Sequence, residues 1–386
     1  MIVVMLRVAV LLILLLFLPD WYIYKKYIVS IEDKRLRRVY WVPSVLLLAI
    51  YLVFMVFTEK LMDEFGTYLV IVLCITVPKL VFTLLDLVLK LIRKLLRLPR
   101  FETPFAAAAA LCSFGYIFYG AVWGREHFQV KEVTFSSPDL PKAFDGYRIV
   151  QISDFHIGTW NGNKRAVSRI IELCNEQEAD IVLFTGDLVN MLASELPDYM
   201  SILSELHAKD GVYSVLGNHD YGDYVRWQSP RDKVANLDRL KSLERELGWD
   251  LLLNEHRILS RGSEQIAIVG VENYGKPPFP QKGKLHEALR GTDGLFKILM
   301  SHDPTHWRMQ VLPESDVQLT LSGHTHDMQV NLFGFSPSKY LYPEHNGMYL
   351  EGERGLYVNI GLGVALFPIR VGAWPEITVI KLKTKR

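Results

Sequence analysis

Five short segments of this chain end in residue types that bind metal ions: Asp154-Phe155-His156, Gly186-Asp187, Gly217-Asn218-His219-Asp220, Ser301-His302 and Gly323-His324-Thr325-His326. Together they offer carboxylate, imidazole and amide-oxygen donors. That mixture suits borderline divalent cations and does not choose among Mn, Fe and Zn; manganese is the working expectation. It also holds enough ligands for two cations sharing one carboxylate. Such a pair lowers the pKa of a shared water; the hydroxide attacks phosphorus in line while the cations neutralise the nonbridging oxygens. The chemistry implied is hydrolysis of a phosphate ester without a phosphorylated enzyme intermediate. A lone Asp or His beside a strand is usually structural, so the weight lies in five such segments in one chain.

Bringing those side chains together requires strands that deliver them to one place. The apolar runs 147–152, 180–184, 212–216, 265–269, 296–300 and 317–321 read as short buried strands. Amphipathic stretches at 165–175, 197–207 and 236–247 read as helices between them. The alternation predicts a layered α/β domain. Five of the six strands run straight into the ligand-type segments, and loops beyond strand carboxyl ends are where α/β sheets bind ligands. Gly186, Gly217 and Gly323 permit tight turns and close backbone approach.

The first third of the chain has another character. Half of the 386 residues are hydrophobic, and the excess lies before Glu126. Apolar segments at 2–18, 40–57, 68–89 and 105–123 each approach the roughly 20 residues that span a bilayer. The sequence therefore divides into a four-helix transmembrane region, 1–125, and a catalytic-type domain, 126–386. Leu18-Pro19-Asp20 is no small-residue cleavage site, so the first segment reads as an uncleaved anchor. The first loop carries Lys25, Lys26, Lys34, Arg35, Arg37 and Arg38, and the third carries Lys90, Arg93, Lys94, Arg97 and Arg100. The second, 58–66, is net acidic. The positive-inside rule puts loops one and three in the cytoplasm and the following domain on the extracytoplasmic side of a cell (inner) membrane. Lys79, inside the third span, is expected to pair with Asp86 or to snorkel. The basic run at 90–97 reads as a topogenic signal. A net charge of +1 gives no global attraction to nucleic acid. Cys74, Cys112 and Cys174 form no CxxC or disulfide framework, and no obligate protein partner is implied.

The order and content of the five segments resemble the calcineurin-like metallophosphoesterase superfamily, over roughly residues 130–383. The resemblance implies a four-layer α-β-β-α sandwich. It implies one metal held by Asp154, His156, Asp187 and His326, and a second held by Asp187, Asn218, His302 and His324, with Asp187 bridging. It further implies that His219 protonates the leaving oxygen or steadies the phosphate charge, and that Asp220 orients its ring. Asn359-Ile360-Gly361-Leu362-Gly363, Pro368-Ile369-Arg370 and Trp374-Pro375-Glu376 resemble the membrane-anchored bacterial branch, which puts Arg370 within reach of a substrate phosphate. That branch commonly has one anchor or a cleaved export signal, where this chain has four apolar segments. It includes enzymes that cleave UDP-diacylglucosamine, a cytoplasmic substrate.

Aromatic and apolar residues crowd 331–350, directly after the last motif histidine, and include Phe333, Phe335, Tyr340, Leu341, Tyr342 and Met348. The segment reads as a lip that leans on the membrane and admits a lipid tail. The histidines outside the motifs, His306 among them, read as surface or packing residues, and neither Asp223 nor Glu272 is assigned to the site. The expected function is a membrane-bound two-metal phosphoesterase acting on a phosphoester or pyrophosphate bond of a lipid or lipid-linked substrate. Two alternatives remain at this point. One is a phosphodiesterase for soluble nucleotides or wall polymers, with the helices only as anchor. The other is a non-catalytic phosphate sensor or transport module, against which the complete ligand set argues.

Overall fold

The computed structural model describes residues 2–57, 62–365 and 367–385. The chain forms two compact units, Met1–Val122 with Leu366–Ile369, and Trp123–Ala365 with Arg370–Arg386.

In the first unit the four apolar segments are helices. They are α1 (Ile2–Ile23), α3 (Val42–Val56), α4 (Met62–Leu96) and α5 (Glu102–Val122), with the short α2 (Lys34–Val39) leading into α3. The stretches Lys34–Val56, Glu64–Leu96 and Glu102–Val122 are each long and apolar enough to cross a membrane. The loop expected at 58–66 lies partly outside the described residues. Leu12 and Leu16 of α1, Leu47 and Tyr51 of α3, and Tyr68 and Val72 of α4 share one buried cluster. Polar groups between apolar helices need partners, because hydrocarbon offers none. Asp20 of α1 pairs with Lys79 of α4 at 2.7 Å and accepts from Tyr40 and Ser44. Asp86 of α4 accepts from Tyr22, Lys26, Tyr27 and Thr103. Lys79 therefore pairs with Asp20 rather than with Asp86, which Lys26 and three hydroxyls already satisfy. Arg93, from the basic run, pairs with Glu102 at 3.1 Å.

The second unit contains β1 (Gln129–Ser137), β2 (Arg148–Ile152), α6 (Lys164–Asn175), β3 (Ile181–Phe184), α7 (Met200–Leu203), β4 (Val212–Ser214), α8 (Pro230–Glu246) and β5 (Asp250–Leu251). It continues with β6 (Glu255–Arg261), β7 (Glu264–Gly270), α9 (Leu285–Ala288), β8 (Phe296–Met300), α10 (Leu312–Glu314), β9 (Leu319–Ser322), β10 (Gly347–Glu351), β11 (Arg354–Val358) and β12 (Glu376–Thr384). The strands form two six-stranded sheets, ordered β1-β12-β2-β3-β4-β5 and β10-β11-β9-β8-β7-β6. In the first, β12 runs antiparallel to β2 and the other neighbours are parallel. In the second, β11, β9, β8 and β7 are parallel and the two edge strands are antiparallel.

Alternation along the strands builds the layers. Ile149, Ile181, Leu183 and Ile380 of the first sheet meet Ile268, Ile298, Met300 and Leu321 of the second. The other faces are covered too. Val150, Ile152, Val182 and Phe184 share a cluster with Val167 and Ile170 of α6 and Leu240 and Leu243 of α8. Ala267, Val269 and Leu299 share one with Leu285 of α9, Trp307 and Val311. The result is an α-β-β-α sandwich in which each such side chain contributes about 1.5–3 kcal/mol by leaving water. Strands covered on both faces read as continuous apolar runs, which is why the central ones are visible in sequence. The edges differ. β1 alternates between half-buried and exposed positions over most of its length. Met348, grouped above with the lip, lies on β10 and packs against the inter-sheet core. The helix expected over 197–207 is only a 3-10 turn and α7, and the chain leaves the helix after Leu203 with Leu206 still buried in the core before β4.

One buried acid makes the sandwich sensitive to pH. Glu244 of α8 is 1% exposed; one oxygen accepts the Ser214 hydroxyl at 2.5 Å, and the other has no hydrogen-bond partner among the described residues. Burial, reinforced by the charge of Asp220, pushes its carboxyl up to about 8. The folded chain thus holds this proton more tightly than the unfolded chain does. The stability it contributes is complete below the ordinary carboxyl range and is lost as pH rises to about 8. Glu244→Gln keeps the shape and cannot ionise. It is expected to stabilise the protein by roughly 1–3 kcal/mol at pH 8 and far less at pH 5, measured by thermal unfolding in detergent. An equal shift at both pH values would contradict this account.

Candidate metal centre

The ligand-type residues stand beyond the carboxyl ends of strands from both sheets. Asp154 and His156 follow β2, Asp187 follows β3, Asn218 and His219 follow β4, His302 follows β8, and His324 and His326 follow β9. A strand that ran on straight would send successive side chains to opposite faces. Here the backbone turns sharply instead: Asp154, His156, Asp187, His324 and His326 have φ of 50°, 43°, 60°, 73° and 49°. Left-handed backbone costs a non-glycine residue about 1–3 kcal/mol and gathers at functional sites. Two glycines give the turns room. A Cβ on Gly217 would strike the Asp187 carboxylate, and one on Gly323 would strike Ser153 and Asp154.

The side chains converge in overlapping groups. Asp154, His156 and His326 offer ligand atoms within 4.8 Å of one another, as do His156, Asp187 and His219, and Asp187, His302 and His324. His326 Nε2 lies 3.0 Å from His156 Nε2 and 3.3 Å from Asp154 Oδ1. Asp187 Oδ2 lies 3.7 Å from His156 Nε2 and 3.2 Å from His302 Nε2, so one carboxylate touches both ends of the cluster. The Asn218 amide donates to Tyr224 Oη at 2.7 Å, which leaves its Oδ1 as an unpartnered acceptor among the described residues. His302 Nδ1 donates to the Thr185 carbonyl at 2.8 Å, leaving Nε2 without a hydrogen-bond partner among the described residues, beside the Asp187 carboxylate at 3.2 Å. Buried polar atoms without partners are rare and costly. Unpartnered oxygen and nitrogen beside shared carboxylates are what divalent cations require, so the residues present fit two such ions.

The electrostatics agree. Burial holds the rings of His156, His324 and His326 below the ordinary imidazole value, which favours the neutral form that a metal ligand must have. For His302 burial works the same way, but the carboxylates of Asp187 and Asp154 overcome it and carry the ring up to about 10. Burial pushes the Asp154 and Asp187 carboxyls up, and the surrounding imidazoles outweigh it and hold both below the usual range. The pocket is built to hold positive charge against Asp187.

Two expected roles look different in three dimensions. The His219 ring is held by the Asn190 carbonyl, 2.7 Å from Nδ1, and not by Asp220. Asp220 instead accepts the backbone N–H groups of Asp187, Leu188, Val189 and Gly217 at 2.9, 2.9, 3.2 and 2.8 Å. It ties the two turns that carry Asp187 and Asn218 to each other. Burial and the charge of Asp187 push its carboxyl up to about 7, against the pull of the N–H groups. Arg370 does not face an open side. It is fully buried and donates to the carbonyls of Gly363, Ala373 and Ile360. Its Nη2 lies 3.1 Å from His326 Nδ1, so it braces a ligand from behind. His306 is buried between Ser301 and Gln310, at 2.8 and 3.0 Å, a packing position. Asp223 pairs with Lys233, and Glu272 accepts from Tyr221 and Asn254.

Sequence reading named Tyr342 only as part of the lip and missed Phe279, Tyr224 and Asp303. Tyr342 Oη lies 2.8 Å from His324 Nε2. Phe279 meets the His324 ring edge-on at 4.7 Å, and Tyr224 lies 4.4 Å from the His219 ring. Asp303 has an unpartnered oxygen among the described residues, 3.7 Å from His324 Nε2. The Asn190 contact uses a carbonyl and carries no side-chain signal. Asp220→Asn would set an amide N–H₂ against backbone donors. It is expected to destabilise the metal-free protein by about 1–3 kcal/mol, and His219→Gln by less than about 1 kcal/mol, in denaturant titrations with chelator. Equal effects would show that Asp220 does not anchor the two turns.

Comparison with known proteins places the chain. Residues 147–328 match the calcineurin-like phosphoesterase family. Residues 6–125 match a family described as a probable calcineurin-like phosphoesterase transmembrane domain. The chain is 32% identical over 293 residues to metallophosphoesterase YkuE of Bacillus subtilis, covering 72% of this chain and 93% of that one. It is 30% identical over 275 residues to a transmembrane protein with metallophosphoesterase domain of Danio rerio, covering 69% of this chain and 60% of that one. It is also 30% identical over 302 residues to the UDP-2,3-diacylglucosamine pyrophosphatase LpxG of Chlamydia trachomatis, covering 64% and 88%. With its Asp and His ligands clustered as described and a membrane region ahead of them, the chain belongs to the calcineurin-like phosphoesterases, metal-dependent hydrolases of phosphoric esters.

Proposed function

We propose that this phosphoesterase works with two divalent cations on a phosphoester or pyrophosphate bond of a lipid or lipid-linked substrate, with its catalytic domain on the extracytoplasmic side. The observation that carries the substrate class is the aromatic wall at the ligands, formed by Tyr224, Phe279 and Tyr342, in a chain that also has membrane-spanning helices. The name of the Chlamydia relative, a pyrophosphatase of a diacylated sugar nucleotide, supports the same class. The side of the membrane rests on the basic first and third loops. On that side a nucleotide-linked lipid is absent, and phospholipids or isoprenoid diphosphates become the substrates to test.

Two divalent cations, when bound, supply Lewis acidity and a more acidic water. The chain does the rest. Asp154, His156, Asp187 and His326 would hold one cation, and Asp187, Asn218, His302 and His324 the other. His219 donates through Nδ1 to the Asn190 carbonyl, which leaves Nε2 to carry the proton that a departing oxygen would take. Tyr224 packs on that ring and holds the Asn218 amide, so one tyrosine steadies both acid and ligand. Arg370 fixes His326 from within the protein.

His219→Ala is expected to lower kcat by about 10²–10⁴-fold while metal content, read by elemental analysis, stays at the wild-type value. A parallel loss of metal would make His219 a ligand and remove its role as acid. Full-length protein in proteoliposomes is expected to turn over vesicle phospholipids or isoprenoid diphosphates faster than soluble diesters; turnover of soluble diesters alone would defeat the lipid reading. A C-terminal reporter, with protease applied to intact cells, is expected to find the domain outside. A protected domain would reverse the orientation and make UDP-diacylglucosamine the first substrate to try.

A further inference from the structure

The segment 332–341, which leaves the last metal-type histidine and returns beside the centre, exposes apolar side chains in water. Phe333 is fully exposed, Tyr340 74%, Leu341 61%, Phe335 45% and Leu332 40%. Isolated exposed apolar residues are ordinary, but several on one short projection mark an interaction site. The projection is held firmly. Leu332 and Phe335 exchange backbone hydrogen bonds at 2.8 and 3.0 Å, and Asn331 N–H reaches the Val371 carbonyl at 2.8 Å. The Ser336 hydroxyl donates to the Asp327 carbonyl at 2.7 Å. The Asp327 carboxylate gathers Asn331, Asn346 and His345. The base is thus welded to the residue next to His326, and the tip is presented rather than folded back.

We propose that this projection is a bilayer-docking loop, which sets its tip into the interfacial layer of the membrane that the helices span. The chemistry of the tip fits that occupant. Phenylalanine and leucine suit the acyl boundary, and tyrosine suits the headgroup level. Residues 332–341 contain no acidic side chain and one cation, Lys339. Its ammonium lies over the rings of Phe335 and Tyr340, at 4.3 and 5.2 Å, where it complements anionic headgroups. Chain continuity favours a bilayer over a soluble partner. Only residues 123–128 separate the last helix from β1, so the domain is already tethered and a modest apolar contact gains from high effective concentration. Docking also has a route to the chemistry, since Tyr342, next after the tip, bonds to His324. The inference rests on the proposed lipid substrate only for what the docked loop would deliver; the docking itself is tested by bilayer contact.

The test uses full-length protein with Phe333 or Tyr340 replaced by the photo-crosslinker benzoylphenylalanine, and a control at Val234, exposed on α8. The protein is reconstituted in vesicles of phosphatidylcholine and phosphatidylglycerol carrying a radiolabelled phospholipid. Label is expected at 333 and 340 and not at 234. No lipid label at 333 and 340, equal label at 234, or crosslinks joining two copies of the chain would overturn the docking loop. The companion variant Phe333→Ser/Tyr340→Ser/Leu341→Ser changes only exposed positions. It is expected to keep the wild-type rate on soluble bis(4-nitrophenyl) phosphate and to lose at least tenfold on vesicle lipid. Lipid crosslinks without any lipid turnover would support docking and overturn only the lipid-substrate reading.

Discussion

Asp187 joins metal-type side chains whose strands belong to different sheets. His156 comes from the end of β2 in the first sheet and His302 from the end of β8 in the second, yet both ring nitrogens lie within 3.7 Å of the same carboxylate oxygen. Packed sheets sit about 10 Å apart, so regular strands alone leave a gap that side chains of this length do not close. Sharp left-handed turns at five ligand residues close it. Their strain, about 1–3 kcal/mol each, persists because the branched side chains between the sheets fix the strand ends. The inter-sheet core is therefore part of the site, and a cavity there would reach the chemistry through the spacing of its ligands.

Support from beneath is as specific as the ligands themselves. Asp220 holds four amide groups from two turns, and Arg370 braces His326. Both are polar side chains in the interior, and both are satisfied by backbone groups, as buried charge demands. Sequence reading gave Arg370 a substrate phosphate and Asp220 the His219 ring. Their burial and partners show that they brace the metal-type turns and His326 instead, while the acid candidate His219 is aligned by a main-chain carbonyl.

The fold and the cluster were legible in sequence to different depths. The six central strands announce themselves because both faces are covered, which removes polar residues from the run. The five motif segments could be read because ligand-type residues follow five strand ends, with glycine beside three of them. β1, β12 and the β10–β11 hairpin were not foreseen: β1 alternates with solvent, and β12 takes its place by pairing with β1 and β2 from the far end of the domain. Direction is what residue type does not carry. Arg370 was visible as a cation, and nothing in the sequence said that it points inward. Lys79 was visible as an intramembrane charge, yet its partner is Asp20, fifty-nine positions away, and not the nearer Asp86.

We propose that one carboxylate, that of Asp187, serves two cations. Anomalous diffraction from crystals of the full chain grown with manganese tests it most directly. The account predicts two peaks, one against Asp154, His156 and His326 and the other against Asn218, His302 and His324, both in contact with Asp187. A single peak, or two peaks of which only one touches Asp187, would contradict it.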